Sequence, residues 1–477
     1  MDDVLSLDAL EQAALLGRGE ISCAGLMRAT LERIARVNGR VNAIVSLRDD
    51  AALMAEAHAA DATPRRGWMQ GLPVAIKDLA HAAGLPTSMG SPLFAGQVAQ
   101  ADDLMVARMR AAGAIIIGKT NTPEFGLGSH TFNPVHGATG NAYDPACSAG
   151  GSSGGAAVAL ACRMLAVADG SDMMGSLRNP AGWNNVYGFR PSWGRVPDAA
   201  EGETFLHPLS TSGPMARSPR DLAALLEVQA GPEPRRPFCL PRETFVERLE
   251  ADVAGRRIGW LGDWGGAYAM EAGILPLCET ALDEFAALGV EVEALPPPFP
   301  AADLWRAWLD LRAFANANRL APLYDDPASR ARLKPAAIWE IETGRRLTIE
   351  AVQAASLIRS HWYARAAELF DRFDALVLPT AQVWPFDINL VHPEVIGDRA
   401  MDTYHRWMEV VIPASLIGLP ALAVPAGFGA EGRAMGLPMG MQLIGRHGDD
   451  LGLLQLAEAW HRATNWPGRR PPPMLGV

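Results

Sequence analysis

Cysteine is scarce, with Cys23, Cys147, Cys162, Cys239 and Cys278 scattered over 477 positions. An odd number with no CxxC pair excludes a disulfide framework and a zinc knuckle. Basic charge is short as well, at 42 Lys+Arg against 53 Asp+Glu, for a formal charge of −11. A chain this acidic repels nucleic acid and anionic membrane, so neither is an expected partner. A clean membrane span is also missing. The longest uncharged run, Val410 to Ala430, is broken by Pro413, Pro420 and Pro425, and so reads as buried strand and loop. The ten histidines form no pair at metal-ligand spacing, and no residue pattern requires a metal or a cofactor. The acidic start, Met1-Asp2-Asp3, lacks signal-peptide character, which leads us to expect a soluble, cytoplasmic protein.

What the chain does have is apolar content: 49% hydrophobic residues against 20% charged, ample for a large core. Leu15, Leu16, Leu26, Leu31, Ile34 and Val37 give helical spacing over Glu11 to Asn38, with Ser22 as an N-cap. Strands are expected at Val41 to Leu47, Leu72 to Ile76, Ala114 to Ile117, Ala166 to Ala168, Ala375 to Leu378 and Leu422 to Val424. Helices are expected at Ala51 to Asp61, Asp103 to Ala112 and Gly154 to Leu165. Alternating elements with uniformly apolar strands predict an α/β fold with a covered sheet. We expect residues 1–477 to form one unit. Its motifs lie in 70–200, a variable helical insertion that shapes the substrate site in 200–370, and a return to the core sheet in 370–477.

Of two pattern matches in the first half, one is a decoy and the other is a glycine-serine loop of a different kind from the one its letters spell. Gly113-Ala-Ile-Ile-Ile-Gly118-Lys119-Thr120 matches a phosphate-binding loop letter by letter. Ala and three Ile between the glycines make a strand, however, and Pro123 leaves no helix for the lysine to open. Gly150-Gly-Ser-Ser-Gly-Gly155 contains GxSxG twice, but turn formers rather than a strand precede it. A glycine-rich loop entering a helix at once, as this one does, gathers amide donors and hydroxyls at the positive end of the helix dipole. A second concentration, Asp169-Gly-Ser-Asp-Met-Met-Gly-Ser176, leaves free amides beside Ser176. Upstream, Lys77 follows the apolar strand Val74 to Ile76; a solvated lysine is the plain reading, and burial, which lowers a lysine pKa, would make it a usable base near neutral pH.

Together these pieces resemble the amidase signature family. The resemblance rests on Gly71-Leu-Pro-Val-Ala-Ile-Lys-Asp78, Gly118-Lys-Thr-Asn-Thr-Pro-Glu-Phe-Gly126, Gly150 to Gly155, Gly170 to Ala181 and Gly188-Phe-Arg-Pro-Ser192. It continues in Pro413 to Ala421 and Gly436 to Gly445. Seven ordered motifs span about 20–200 and 370–460. The resemblance implies a large mixed β-sheet flanked by helices and a Ser–Ser–Lys triad. Ser176 would be the nucleophile, Ser152, 24 residues earlier, the relay serine on a cis peptide bond, and Lys77 the base. Backbone amides of Met173, Met174, Gly175 and Ser176 would hold the oxyanion. Ser153, Asp172 and Arg178 would support the loops, while Lys119 and Glu124 are read as structural.

One departure stands out. The family has Thr-Gly-Gly before the nucleophile, where this chain has Met173-Met174-Gly175. Met in place of Gly adds bulk beside the acyl carbon and predicts a greasy acyl pocket; the other reading is a methionine pair packed into the core. The expected activity is hydrolysis of uncharged, partly aromatic amides or anilides, with carbamates (urethanes) close behind, by a monomer or homodimer. Trp183, Trp193, Trp305, Trp308 and Trp339 are candidates to line an apolar channel. The alternatives are the amidase component of a glutamine-dependent tRNA amidotransferase, which shares these motifs, and a catalytically silent binding protein.

Overall fold

The computed structural model describes residues 2–198 and 203–476. Two sheets carry the architecture. The smaller consists of β1 (Ile44–Val45), β2 (Pro73–Lys77) and β3 (Ile115–Thr120), in the order β1-β3-β2. The larger has eight strands: β4 (Val167–Asp172), β5 (Tyr187–Arg190), β6 (Thr211–Ala216), β7 (Arg257–Trp260), β8 (Glu291–Ala294), β9 (Ala375–Pro379), β10 (Ala421–Phe428) and β11 (Pro438–Ile444). Their order is β8-β7-β9-β11-β10-β5-β6-β4. The sheet is mixed: β7 runs parallel to β8 and β9, and the other pairs are antiparallel. Strands such as β2, β9, β10 and β11 are buried at every position, as the uniformly apolar runs require of a sheet covered on both faces.

The helical pattern expected over Glu11 to Asn38 is two helices, α1 (Ala9–Arg18) and α2 (Cys23–Val41). Gly19, in the left-handed region at φ 70°, closes the first, and the Ser22 hydroxyl caps the second by accepting from the Gly25 amide. The strand expected over Val41 to Leu47 shrinks to β1, because α2 runs through Val41 and Asn42 ends it in a left-handed conformation. Further along lie α3 (Gly154–Ala161), α4 (Arg178–Trp183), α5 (Pro219–Gln229), α6 (Ala301–Asp325), α7 (Pro335–Arg345), α8 (Ile349–Phe370) and α9 (Asp450–Thr464). One apolar cluster extends from Leu5 to Trp460.

The expectation of a helical insertion over 200–370 needs correction. That stretch supplies β6, β7 and β8 to the central sheet, and only α6, α7 and α8, between 301 and 370, form a helical block. The phosphate-loop look-alike is β3, as its apolar residues demand. Lys119 points inward, with Nζ donating to the Ala80 carbonyl and to Thr87 Oγ1, 3.7 Å from Asp78. The run Val410 to Ala430 folds as a short helix and β10, all deeply buried at its centre. No helix among the described residues is long and apolar enough to cross a membrane.

Candidate active site

Lys77 is the last residue of β2 and is 1% exposed. Its backbone amide donates to Asp169 on β4, which ties the small sheet to the large one. Its ammonium nitrogen lies 2.8 Å from Ser152 Oγ, 2.8 Å from Ser153 Oγ and 3.1 Å from Ser171 Oγ. Burial pushes the Lys77 pKa down to about 7, against the opposing pull of Asp169 and Asp172. Burial also raises Asp169 to about 6. Ser153 occupies the N-cap position of α3 yet makes no capping bond; its hydroxyl serves Lys77 instead. The small residues of this segment are required by close approach: a Cβ on Gly155 would lie 2.3 Å from the Asn121 amide and 2.6 Å from the Ala43 carbonyl oxygen.

Ser152 follows a cis peptide bond from Gly151. Ser176, 6% exposed, sits on the loop between β4 and α4, and its carbonyl accepts from the Ser153 amide at 3.1 Å. Ser152, Ser171, Met173, Met174 and Ser176 share one cavity of about 170 Å³. Lys77 lies behind the serines rather than in the cavity wall.

The Met173–Ser176 loop is held by a charge cluster at its base. Asp172 accepts from the Gly175 and Leu177 amides and from both Nε and Nη2 of Arg178, at 2.9–3.2 Å, and Arg190 reaches it at 3.4 Å. Burial by itself would raise the Asp172 pKa, but Arg178 and Arg190 hold it well below the usual carboxylate range. Arg178 continues to Ser415 Oγ and the Val411 carbonyl. Asp172 and Arg178 thus tie together the base of the loop. One expectation is corrected: the Gly175 amide is taken by Asp172, leaving Met173, Met174 and Ser176 as candidate oxyanion donors. Gly175 keeps the one left-handed backbone of the loop, φ 78°, so Met174 meets no such demand. Met174 is 2% exposed and Met173 half-buried, and both line the cavity.

Several participants were not legible in advance. Ser171, Asp169 and Arg190 all lie inside quoted motifs, yet nothing there marks them as neighbours of Lys77 or Asp172. The opposite wall comes from α6, which presents Arg312, Asn316 and Arg319 to the cavity. The tryptophan channel is corrected as well. Trp183, Trp305 and Trp308 are buried in the core, and Trp193 borders a surface groove with Phe238 and Tyr363. Of the five candidates, Trp339 alone lines a chamber next to the site, about 1,030 Å³ in volume, together with Phe132, Tyr404 and Trp407. Leu127, Gly128 and Ser129 line both spaces, so this chamber adjoins the serine cavity. Glu124, also on the chamber wall, accepts from Ser91 Oγ at 2.7 Å. No group of three or more His, Cys, Asp or Glu among the described residues is arranged to hold a metal, and the five cysteines are unbridged.

Fold and cavity together define an amide-hydrolysing α/β enzyme. The family model described as Amidase matches residues 25–454, and the chain belongs to that family of amidase signature enzymes. It is 32% identical to a glutamyl-tRNA(Gln) amidotransferase subunit of Chloroflexus aurantiacus, over 99% of both chains. It is 31% identical to an acylamidase of Rhodococcus erythropolis, over 99% of this chain and 98% of that one. A bacterial aryl acylamidase of the amidase signature family superposes with a TM-score of 0.89 at 28% identity, covering 98% of this chain and 99% of its own.

Proposed function

We propose that the protein hydrolyses carboxamides and anilides, with carbamates as a second substrate class, through an acyl-enzyme on Ser176. The observation that carries this reading is the buried Lys77, its pKa pushed down to about 7, 2.8 Å from Ser152 Oγ. In the reading, neutral Lys77 takes the Ser152 proton while Ser152 takes that of Ser176, whose oxygen attacks the carbonyl carbon. The oxyanion is held by the Met173, Met174 and Ser176 amides, each such donor being worth about 2.7–4 kcal/mol of barrier. The proton returns through Ser152 to the departing nitrogen, the C–N bond breaks, and the amine leaves. Water then attacks the ester, with the same relay taking its proton, and releases the acid and Ser176.

The dimensions of the two spaces support a division of the substrate. At about 170 Å³ the serine cavity is smaller than the roughly 300–1,000 Å³ typical of drug-sized ligands. It suits a short acyl group. The aromatic chamber beyond Leu127–Ser129 suits a larger amine, an aniline among them. The likeness to an aryl acylamidase supports that assignment. The likeness to an amidotransferase component favours the second reading, a member of a tRNA-modifying complex.

The test is intact mass after treatment with a small fluorophosphonate, followed by turnover of short acyl anilides. Stoichiometric labelling at Ser176 that is lost in Lys77→Ala, with anilide turnover by the isolated chain, supports the hydrolase. Turnover confined to glutamine, and dependent on a copurifying partner, would favour the second reading.

A further inference from the structure

The α6 wall of the serine cavity carries a positive charge with no ion-pair partner among the described residues. Arg312, Asn316 and Arg319 are spaced four and three residues apart, so they fall on one helix face, and all three line the cavity. Arg312 is spoken for. Its Nε donates to Glu340 at 2.6 Å, its Nη2 to Tyr404 at 2.8 Å, and its Nη1 lies 3.3 Å from Met173 Sδ. Arg319 forms no ion pair among the described residues; its one hydrogen bond runs from Nη2 to Asn316 Oδ1, at 3.2 Å. That bond fixes which end of the Asn316 amide faces Arg319. The other end, Nδ2, is buried and has no partner, on a side chain only 1% exposed. A buried amide donor without an acceptor is unfavourable until something accepts from it. No Asp or Glu lines this cavity. Glu340 behind it pairs with Arg312 and also acts on Arg319, whose side chain is exposed, so two arginines stand against one carboxylate and the net field favours an anion.

We propose that Asn316 and Arg319 form a subsite for a carboxylate on the acyl part of the substrate, with Asn316 Nδ2 donating to one oxygen and the Arg319 guanidinium pairing with the group. The preferred substrates are then monoamides of short dicarboxylic acids, the small cavity leaving room for only a few carbons between the carboxylate and the scissile carbonyl. This rests on the hydrolase reading for the position of that carbonyl, and it replaces the uncharged acyl group expected from the sequence.

The experiment is isothermal titration of full-length Ser176→Ala protein with the mono-anilides of malonic, succinic and glutaric acid, each beside its methyl ester. At least one acid is expected to bind tenfold or more tighter than its ester. The preference shrinks when salt is raised from about 50 to 500 mM and drops tenfold or more in Arg319→Gln. Arg319→Lys restores part of it, and Asn316→Ala weakens it with the charge still present. Equal binding of acid and ester at all three lengths, no binding of any acid, or a preference that survives Arg319→Gln overturns the subsite. The salt dependence and Asn316→Ala decide the matter should Arg319→Gln not fold. Turnover by the wild-type enzyme is read separately. Cleavage of neutral anilides without an acid preference keeps the hydrolase and removes the subsite, whereas acid binding without turnover of any amide keeps the subsite and removes the hydrolase.

Discussion

Two walls meet at Ser176 and they are built by different means. The floor, from β2, β4 and the loops leading into α3 and α4, is made of small residues, crossing backbones and buried charge. Lys77, Asp169, Asp172, Arg178 and Arg190 are all 1% exposed or less, and almost every polar atom there is committed to a partner. The opposite wall is a single face of α6, whose side chains reach the cavity from a helix that any sequence of good helix formers could supply. The floor can perform a reaction only with particular residues in particular places. The wall can be repainted without disturbing the helix, which makes it the place where members of one family would come to differ in substrate.

The comparison is tested most severely by removing the base. Lys77→Ala is expected to lower kcat/KM by about 10²–10⁴, the usual contribution of general acid–base catalysis, while α6 and its binding groups stay in place. Affinity for substrate measured on the inactive variant should change little next to that loss. A similar loss of affinity would mean that floor and wall are not separable.

Two carboxylates sharpen the contrast. Asp172→Asn leaves Arg178 and Arg190 buried with a single acceptor oxygen between them, and is expected to destabilise the protein by about 3–5 kcal/mol in urea unfolding. Glu340→Gln removes a charge that is bonded to one arginine, Arg312, and acts on Arg319 without an ion pair, and it keeps an oxygen for Tyr404, so the loss should be smaller, about 1–3 kcal/mol. A reversed order would show that the wall, not the floor, anchors the site.

The pH profile separates the walls again. Lys77 acts as a base only when neutral, and its pKa is pushed down to about 7. The kcat/KM of a neutral anilide is therefore expected to fall about tenfold per unit as pH drops below about 7 and to level off above it. Binding at the proposed Arg319 subsite is expected not to follow that profile, because a guanidinium keeps its charge in proteins. Turnover and equilibrium binding, followed from about pH 5.5 to 9, should thus part company.

This division also explains what could be read from the chain. Lys77, Ser152 and Ser176 were singled out by the resemblance to the amidase signature motifs; the residues by themselves marked only a lysine after an apolar strand and glycine-serine loops that enter a helix at once, with Ser152 and Ser153 equally placed. The demands on Gly155 and Gly175 emerge only with the fold, where one faces a backbone and the other takes a left-handed conformation. The loss of the Gly175 amide to Asp172 was not legible, because which amide a buried carboxylate claims depends on the turn geometry and not on residue type. The α6 wall was least legible of all. Trp305 and Trp308 drew the eye as channel residues, yet they face the core, and the residues that face the cavity, Arg312, Asn316 and Arg319, look in sequence like an ordinary solvated helix face. Strands of the central sheet drawn from residues 200–300 were hidden for a similar reason, because Arg257–Trp260 and Glu291–Ala294 are short and the latter is polar at alternate positions.

The smallest expected effect on turnover concerns a place where floor and wall touch. Met173 Sδ lies 3.3 Å from Arg312 Nη1, and Met174 is packed against the core while still facing the cavity. Met174 thus fills core space and Met173 carries a contact to α6, while the role of either beside an acyl group is what the following variants read. Met174→Gly removes a buried side chain and frees backbone, so a stability loss of about 2–5 kcal/mol is the expected background. Relative to that, the acyl-length preference should widen by one or two methylenes, each worth about 0.8 kcal/mol, or close to fourfold in kcat/KM. Met173→Leu keeps the volume and removes the sulfur, and should alter the profile by less than about twofold unless the Arg312 contact steers α6. A panel of acetyl to hexanoyl anilides reads both. A profile unmoved by Met174→Gly would mean that the acyl group never approaches that side chain and that the floor sets the chemistry alone.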